Sequence, residues 1–383
     1  MTGHKLGWMV VAAALLAGCG DKTQQHGDSP VVLIGQASPL TGPQAHLGKD
    51  NENGVRLALD EINAAGLTLG GRKVTLELKS EDDGADPKTA TTVAQKLVDE
   101  GVVGVIGHLN SGATIPASKI YSDNNVPQIS PSATAVAYTA AGYKTAFRVM
   151  TNDAQQGSVL GNYAVTKLGA KKVAIIDDRT AYGQGLADEV EKAVKAAGGE
   201  VVAREYTSDR STDFMAILTS IKGKRPDLVF FGGMDPQGAP MVKQMRQLGM
   251  KATFLGGDGV QTPKFIELAG ADAEGVVASN PGLPLDAMPG GAAFKAKFEA
   301  KYGQIQNYAP YAYDAMHVLV AAMKRADSSD PAKYLAELPK TDYEGVTGRI
   351  RFDAKGDLAG GAVTLYQVKG GKWQPLETVK SGT

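Results

Sequence analysis

Val105-Ile106-Gly107-His108-Leu109-Asn110-Ser111-Gly112-Ala113-Thr114 is the stretch on which the fold turns. The apolar run from Val102 to Ile106 predicts a buried strand. It breaks at Gly107, a small polar turn follows, and the pattern then predicts a helix from Ala113 to Asp123. This strand–loop–helix unit puts its turn at the carboxyl end of the strand, where ligands sit in open α/β sheets. The helix start adds unpaired N–H groups and the positive end of a dipole, both suited to an anion. The turn is therefore expected to seat the carboxylate of a small zwitterion, with the rest of the chain building a second wall against it.

The same unit recurs on either side. Val31 to Gly35 and Lys73 to Leu78 read as strands, and the helix between them carries Val55, Leu59 and Ile62 on one face, with Gly66 placed to stop it. Asp86-Pro87 opens a helix with a capping acid and a first-turn proline. A short strand, Val126 to Ile129, ends in Ser130-Pro131-Ser132-Ala133-Thr134, and Phe147-Arg148-Val149 leads out of this region. From Asn152 the pattern restarts with a helix over 154–168, a strong strand from Lys172 to Ile176, and a turn running to Tyr182-Gly183. Further strands, at Val201 to Tyr206, Leu228 to Phe231 and Phe254-Leu255, lead to the loop Gly256-Gly257-Asp258-Gly259. After Pro284 two helices, 290–302 and 308–325, follow with no strand between them, and the tail is strand-like. The expected fold class is α/β: two doubly wound parallel-sheet lobes. Late pieces added to both lobes imply several crossovers and hence a hinge. Residues 31–150 with 281–360 are assigned to one lobe, and 151–280 with 361–383 to the other.

The bulk numbers agree with a two-core protein that has no polyanionic partner. The chain has 383 residues, 40 Lys plus Arg against 41 Asp plus Glu, and no basic aromatic patch of the nucleic-acid kind. Its one cysteine, Cys19, excludes a disulfide framework within the chain. Lys5, the apolar run Trp8 to Leu16 and Leu16-Ala17-Gly18-Cys19 describe a secretory signal over residues 1–18. The run is shorter than the roughly 20 apolar residues of a membrane span. Its Leu-Ala-Gly-Cys ending resembles a bacterial lipobox, which would place a lipid on Cys19 and export the protein to the periplasm or cell envelope. Residues 19–30 then form a polar tether.

Catalytic signatures are missing. No His-Glu-x-x-His, cysteine pair or acid–histidine spacing suggests a metal, and no Gly-x-Ser-x-Gly elbow occurs. His108 lies three residues before Ser111, but no third group orients them. Gly183-Gln184-Gly185 nearly matches a dinucleotide fingerprint, yet Asp188 stands where the third glycine belongs. The expectation is a binding protein without catalytic residues or cofactor, rather than an enzyme.

What remains is a set of polar groups at strand ends: Ser111, Ser132 and Thr134 in the first lobe, Tyr182 and Asp258 in the second. Hydroxyls and helix starts suit a carboxylate, a lone acid suits an ammonium, and Leu47 and Met234 suit an aliphatic side chain. Taken singly, Ser132 and Thr134 are equally helix caps, Asp258 a turn residue and Tyr182 a surface aromatic.

At this point the chain resembles the bacterial leucine/isoleucine/valine-binding proteins of amino-acid ABC transporters, within the type I periplasmic binding proteins. The resemblance runs from about Val31 to about Trp373. It is carried by Ser38-Pro39-Leu40-Thr41-Gly42-Pro43, Asn53 to Ala58 with Glu61-Ile62-Asn63, Val105 to His108 with Ser111, Ile129 to Thr134, Asp177 to Gly183, Phe231-Gly232-Gly233 and Gly256 to Gly259. It implies a Venus-flytrap fold, a branched-chain or small aliphatic amino acid in the cleft and a membrane permease as partner. By position, Ser111 and Thr134 would take the α-carboxylate. Ser132, Ala133 and Thr134 with Asp258 would take the ammonium, and Tyr182 would close over the ligand. Leu47 and Met234 stand where the best-known branched-chain binders carry Trp and Tyr, and Asp258 replaces a longer Glu. Ala85 and Asn110 occupy the places of a disulfide found in some relatives. These departures reshape the side-chain pocket and leave open a sensor or a binder of amide, urea-type or aromatic-acid ligands.

Overall fold

The computed structural model describes residues 1–4 and 29–380. The expected signal segment, apart from its first four residues, lies outside the described residues, as do Cys19 and most of the tether. The first sheet contains β1 (Val31–Ser38), β2 (Leu67–Leu69), β3 (Arg72–Asp82), β4 (Gly104–Gly107), β5 (Gln128–Ser130) and β6 (Ala146–Arg148), in the order β2-β3-β1-β4-β5-β6. Its helices are α1 (Ala45–Ala65), α2 (Pro87–Asp99), α3 (Ser111–Asp123) and a short α4 (Ala137–Ala140). The second sheet begins with β7 (Lys172–Asp177), β8 (Glu200–Tyr206), β9 (Leu228–Gly232), β10 (Thr253–Gly256) and β11 (Val277–Pro281). Around it lie α5 (Asp153–Thr166), α6 (Ala181–Ala196), α7 (Met215–Gly223), α8 (Asp235–Gln247) and α9 (Pro263–Ala269). The chain then returns to the first sheet with α10 (Gly291–Tyr302), α11 (Ala309–Ala326) and α12 (Pro331–Tyr334), of which α10 and α11 pack on α1. A small hairpin follows, β12 (Asp342–Glu344) and β13 (Arg349–Arg351). Finally β14 (Ala362–Lys369) and β15 (Lys372–Lys380) extend the second sheet to β15-β14-β11-β10-β9-β7-β8. Each sheet with its helices forms one lobe.

The strands are almost continuously apolar because helices cover both faces of each sheet. In β7, Val173 and Ile175 enter one core while Ala174 and Ile176 enter another. In β4, Ile106 and Val105 divide in the same way. The sheets are not purely parallel, as expected from the βα repeat. β2 pairs antiparallel with β3, and β14 and β15 pair antiparallel with β11 and each other. Two glycine pairs account for the hairpin-connected edge strands β2 and β15. Gly70-Gly71 and Gly370-Gly371 have φ of +58° and +71°, and +58° and +70°. Two successive positive φ values form the tight hairpin turn that glycine favours, and each pair adds an antiparallel edge strand.

The chain passes between the lobes three times: at 149–152 from β6 to α5, at 282–290 from β11 to α10, and at 352–361 from β13 to β14. Arg148 ties two of these passages together. Its fully buried guanidinium meets Asp357 Oδ1 at 2.5 Å, and Asp357 also accepts from Asn152 Nδ2 at 3.2 Å.

Candidate functional site

The two parallel cores reverse strand order between β1 and β4 and between β7 and β9. These switch points face one another across the cleft, and the turns beyond them carry the polar groups. Gly107 ends β4 with φ +141°, and a Cβ there would lie 2.4 Å from the Ala37 carbonyl oxygen of β1. Only glycine brings the two strands this close at the point where the chain turns into the site. His108 beyond it is buried scaffold, with Nδ1 2.7 Å from Asp83 Oδ2 and Nε2 3.1 Å from the Tyr121 hydroxyl.

The helix α3 starts at Ser111, two residues earlier than the apolar pattern indicated, because Asn110 already has extended dihedrals and Ser111 begins the helical turn. No side chain caps this helix, so its first N–H groups are left for a ligand. The Ser111 hydroxyl accepts from the Ala135 backbone at 3.1 Å, and the Ser132 hydroxyl donates to the Leu109 carbonyl at 3.0 Å. The turns after β4 and β5 thus form one wall.

Asp258 dominates the opposite wall. It is buried, and its oxygens accept from Gln156 Nε2 at 2.9 Å, the Tyr182 hydroxyl at 2.9 Å and the Tyr308 hydroxyl at 2.7 Å. Its carbonyl accepts from Asn307 Nδ2 at 3.1 Å. All four donors are neutral. Burial raises the Asp258 carboxyl above the usual range, while the bonds from Tyr308, Gln156 and Tyr182 oppose the rise. The Tyr182 and Tyr308 hydroxyls are pushed well above their ordinary value, first by burial and then by the Asp258 charge. A buried carboxylate surrounded only by neutral donors is incomplete until a cation arrives.

The narrow space between these walls, about 10 Å³ in this conformation, is lined by Leu109, Asn110, Ser111, Ser132, Tyr182, Met234, Asp258 and Tyr308. Five of the eight expected ligand residues, Ser111, Ser132, Tyr182, Met234 and Asp258, therefore meet there. Leu47, Ala133 and Thr134 do not line it. Leu47 is wholly buried in the core, and the Ala133 carbonyl is taken by Arg148 Nη1 at 2.8 Å. Thr134 sits behind the wall, where its carbonyl accepts from the Asp153 backbone at 2.8 Å and its hydroxyl has no bonded partner. Beyond the pocket the cleft widens into a vestibule of about 360 Å³, walled in part by Gln44, Pro87, Arg179 and Ser208.

The sequence reading missed Tyr308, Gln156 and Asn307. Tyr308 reaches Asp258 because Asp50 of α1 captures the start of α11, accepting from the backbone N–H groups of Gln306, Asn307, Tyr308 and Ala309 at 2.8–3.0 Å. An acid in α1 more than 250 residues away gave no local signal for this.

Two facing α/β lobes that close on a pocket with an uncapped helix start and an unpaired buried acid define a binding protein for a small solute. Residues 31–372 match the family model described as periplasmic binding protein, and the chain belongs to that family. It is 36% identical over 346 residues to a Leu/Ile/Val-binding protein homolog of Brucella abortus, covering 90% of each chain. It is also 36% identical over 337 residues to a leucine-, isoleucine-, valine-, threonine- and alanine-binding protein of Pseudomonas aeruginosa, covering 88% of this chain and 89% of that one. Among solved structures, it is similar to the branched-chain amino acid transporter substrate-binding protein LivJ of Streptococcus pneumoniae in complex with isoleucine. The TM-score is 0.83, with 32% identity over 92% of this chain and 100% of that chain.

Proposed function

We propose that the protein is the solute-binding subunit of an ABC importer and that it takes a branched-chain or small aliphatic amino acid between its lobes. The observation that carries this is Asp258, a buried carboxylate whose partners among the described residues are neutral donors, placed across a narrow cleft from the uncapped start of α3. An α-amino acid supplies the missing ammonium and a carboxylate for the helix start. Leu109 and Met234 leave an apolar surface for its side chain. Ser111 and Ser132 serve the zwitterion's polar end, with Ala133 and Thr134 supporting that wall and Leu47 backing it from the core. The lobes are 31–150 with 281–360 and 151–280 with 361–383, a division supported by the membership of the two sheets. Export and a lipid on Cys19 would hold the binder beside its permease.

The test is calorimetric titration with each of the twenty amino acids. Leucine, isoleucine or valine is expected to bind with the highest affinity. Binding of aromatic acids or amides with no response to any aliphatic amino acid would overturn the assignment. For the anchor, Cys19→Ala is expected to move the protein from the membrane fraction to the soluble fraction without changing its affinity. Retention on membranes would refute lipidation at Cys19.

A further inference from the structure

A second pocket, of about 190 Å³, lies in the hinge itself. All three passages between the lobes contribute to it: Met150 and Thr151 from the first, Gly282 and Leu283 from the second, Leu358 from the third. The second passage is bonded to the start of β14, and α11 to the end of β11. The Gly282 N–H donates to the Ala362 carbonyl at 2.6 Å, and the Tyr311 hydroxyl, which also lines the pocket, donates to the Pro281 carbonyl at 2.5 Å. Gly282 has φ +94°, and a Cβ there would lie 2.0 Å from the Tyr311 hydroxyl oxygen. The pocket is thus a formed feature of the closed hinge, and its shape depends on how the three passages lie relative to one another.

Its chemistry is distinct from that of the amino-acid cleft. Its surface is mostly apolar, and none of the lining residues is an aspartate or glutamate. Two cations stand on it: Lys380 from the second lobe, and Arg349 from the first, which is already held by Asp342 at 2.6 and 2.5 Å and by Glu344 at 3.5 Å. An apolar pocket with the Lys380 ammonium at its rim selects an apolar body ending in an anion.

We propose that this hinge pocket binds an aliphatic monocarboxylate and that the bound molecule holds the hinge in its closed form. A ligand that contacts all three passages in one arrangement favours that arrangement by its differential affinity.

Octanoate is the probe, titrated calorimetrically into the full chain without any amino acid. One-site binding is expected. It should persist in Asp258→Ala, fall at least tenfold in Leu358→Trp, which fills the chamber, and weaken several-fold in Lys380→Gln. Octylamine should not bind. X-ray scattering of the ligand-free protein should give a smaller radius of gyration once octanoate saturates it. Lys380 is exposed, so its variant reports on the site even if the tryptophan variant misfolds. Loss of octanoate binding in Asp258→Ala would place it in the cleft and overturn the proposal. So would wild-type affinity in both pocket variants, absence of binding, or an unchanged radius at saturation. Because octanoate binding is read without an amino acid, these outcomes are independent of the cleft's ligand.

Discussion

At the scale of single residues, two of the buried carboxyls tie ligand binding and stability to pH. Asp258 is useful only when ionised, because the protonated acid cannot pair with an ammonium. Burial raises it, so acid neutralises it sooner than an ordinary aspartate. Amino-acid affinity is therefore expected to hold above that raised value and to fall as pH drops through it. In the same window binding should release a proton, visible as a buffer-dependent heat in calorimetry. Asp258→Ala, which leaves the ligand's ammonium stranded, is expected to cost roughly 3–5 kcal/mol, a loss of affinity of about a hundredfold or more. Wild-type-like binding by this variant would exclude Asp258 as the ammonium's partner. Asp153 behaves differently. Burial lifts it from 3.8 to about 8, with the Arg148 charge only partly opposing, and neither of its oxygens has a hydrogen bond among the described residues. The folded chain then holds a proton that the unfolded chain has lost, so stability should decline as pH rises from the ordinary aspartate range to about 8. Asp178 and Asp314, raised by burial to about 6, add to the decline in its lower part, so Asp153→Asn should make it shallower in urea melts, most of all between about 6 and 8, and an unchanged slope there would show that Asp153 does not contribute.

At the scale of elements, the site depends on how helices begin. Asp50 lies within α1 but serves α11: burial raises its carboxyl, and four backbone N–H bonds from 306–309 work against the rise. Replacing it by alanine removes a helix cap worth up to about 2 kcal/mol and releases Tyr308 from its place on Asp258. Asp50→Ala is expected to lower both stability and ligand affinity. Wild-type affinity in a destabilised variant would separate the cap from the site. This coupling marks the limit of what the sequence discloses. The turns after β4, β5, β7 and β10 were legible because each apolar run stops at a small polar cluster, and Ser111, Ser132, Tyr182 and Asp258 lie in those clusters. Tyr308 and Gln156 were not legible, since each sits inside a helical pattern and reaches the pocket only through packing between distant segments. Thr134 looked like its neighbours in the sequence, yet the turn of the chain puts it behind the wall. The antiparallel edge strands were readable in principle from Gly70-Gly71 and Gly370-Gly371, which the βα repeat overshadowed.

At the scale of the whole molecule, the closed form is reinforced by a contact between the lobes that the ligand does not make. His46, at the start of α1, places Nε2 2.7 Å from Asp235 Oδ2 at the start of α8, directly across the cleft. Asp235 is buried, accepts from the Thr262 hydroxyl at 2.6 Å, and receives the Gly259 carbonyl on its backbone N–H at 2.8 Å. The latch therefore braces the loop that carries Asp258. Opening the lobes breaks it together with the Tyr308–Asp258 bond, but opening also returns Asp235 to water, so the net gain from the latch is only that of one hydrogen bond, about 0.5–1.5 kcal/mol. His46→Ala is accordingly expected to raise the amino-acid dissociation rate about two- to tenfold. The association rate should change far less, since ligand enters the open form before the latch is made. Stopped-flow fluorescence, following Trp373 and the tyrosines, measures both rates. A variant whose loss of affinity lies wholly in association, or whose dissociation rate equals that of the wild type, would show that the His46–Asp235 contact does not hold the lobes together.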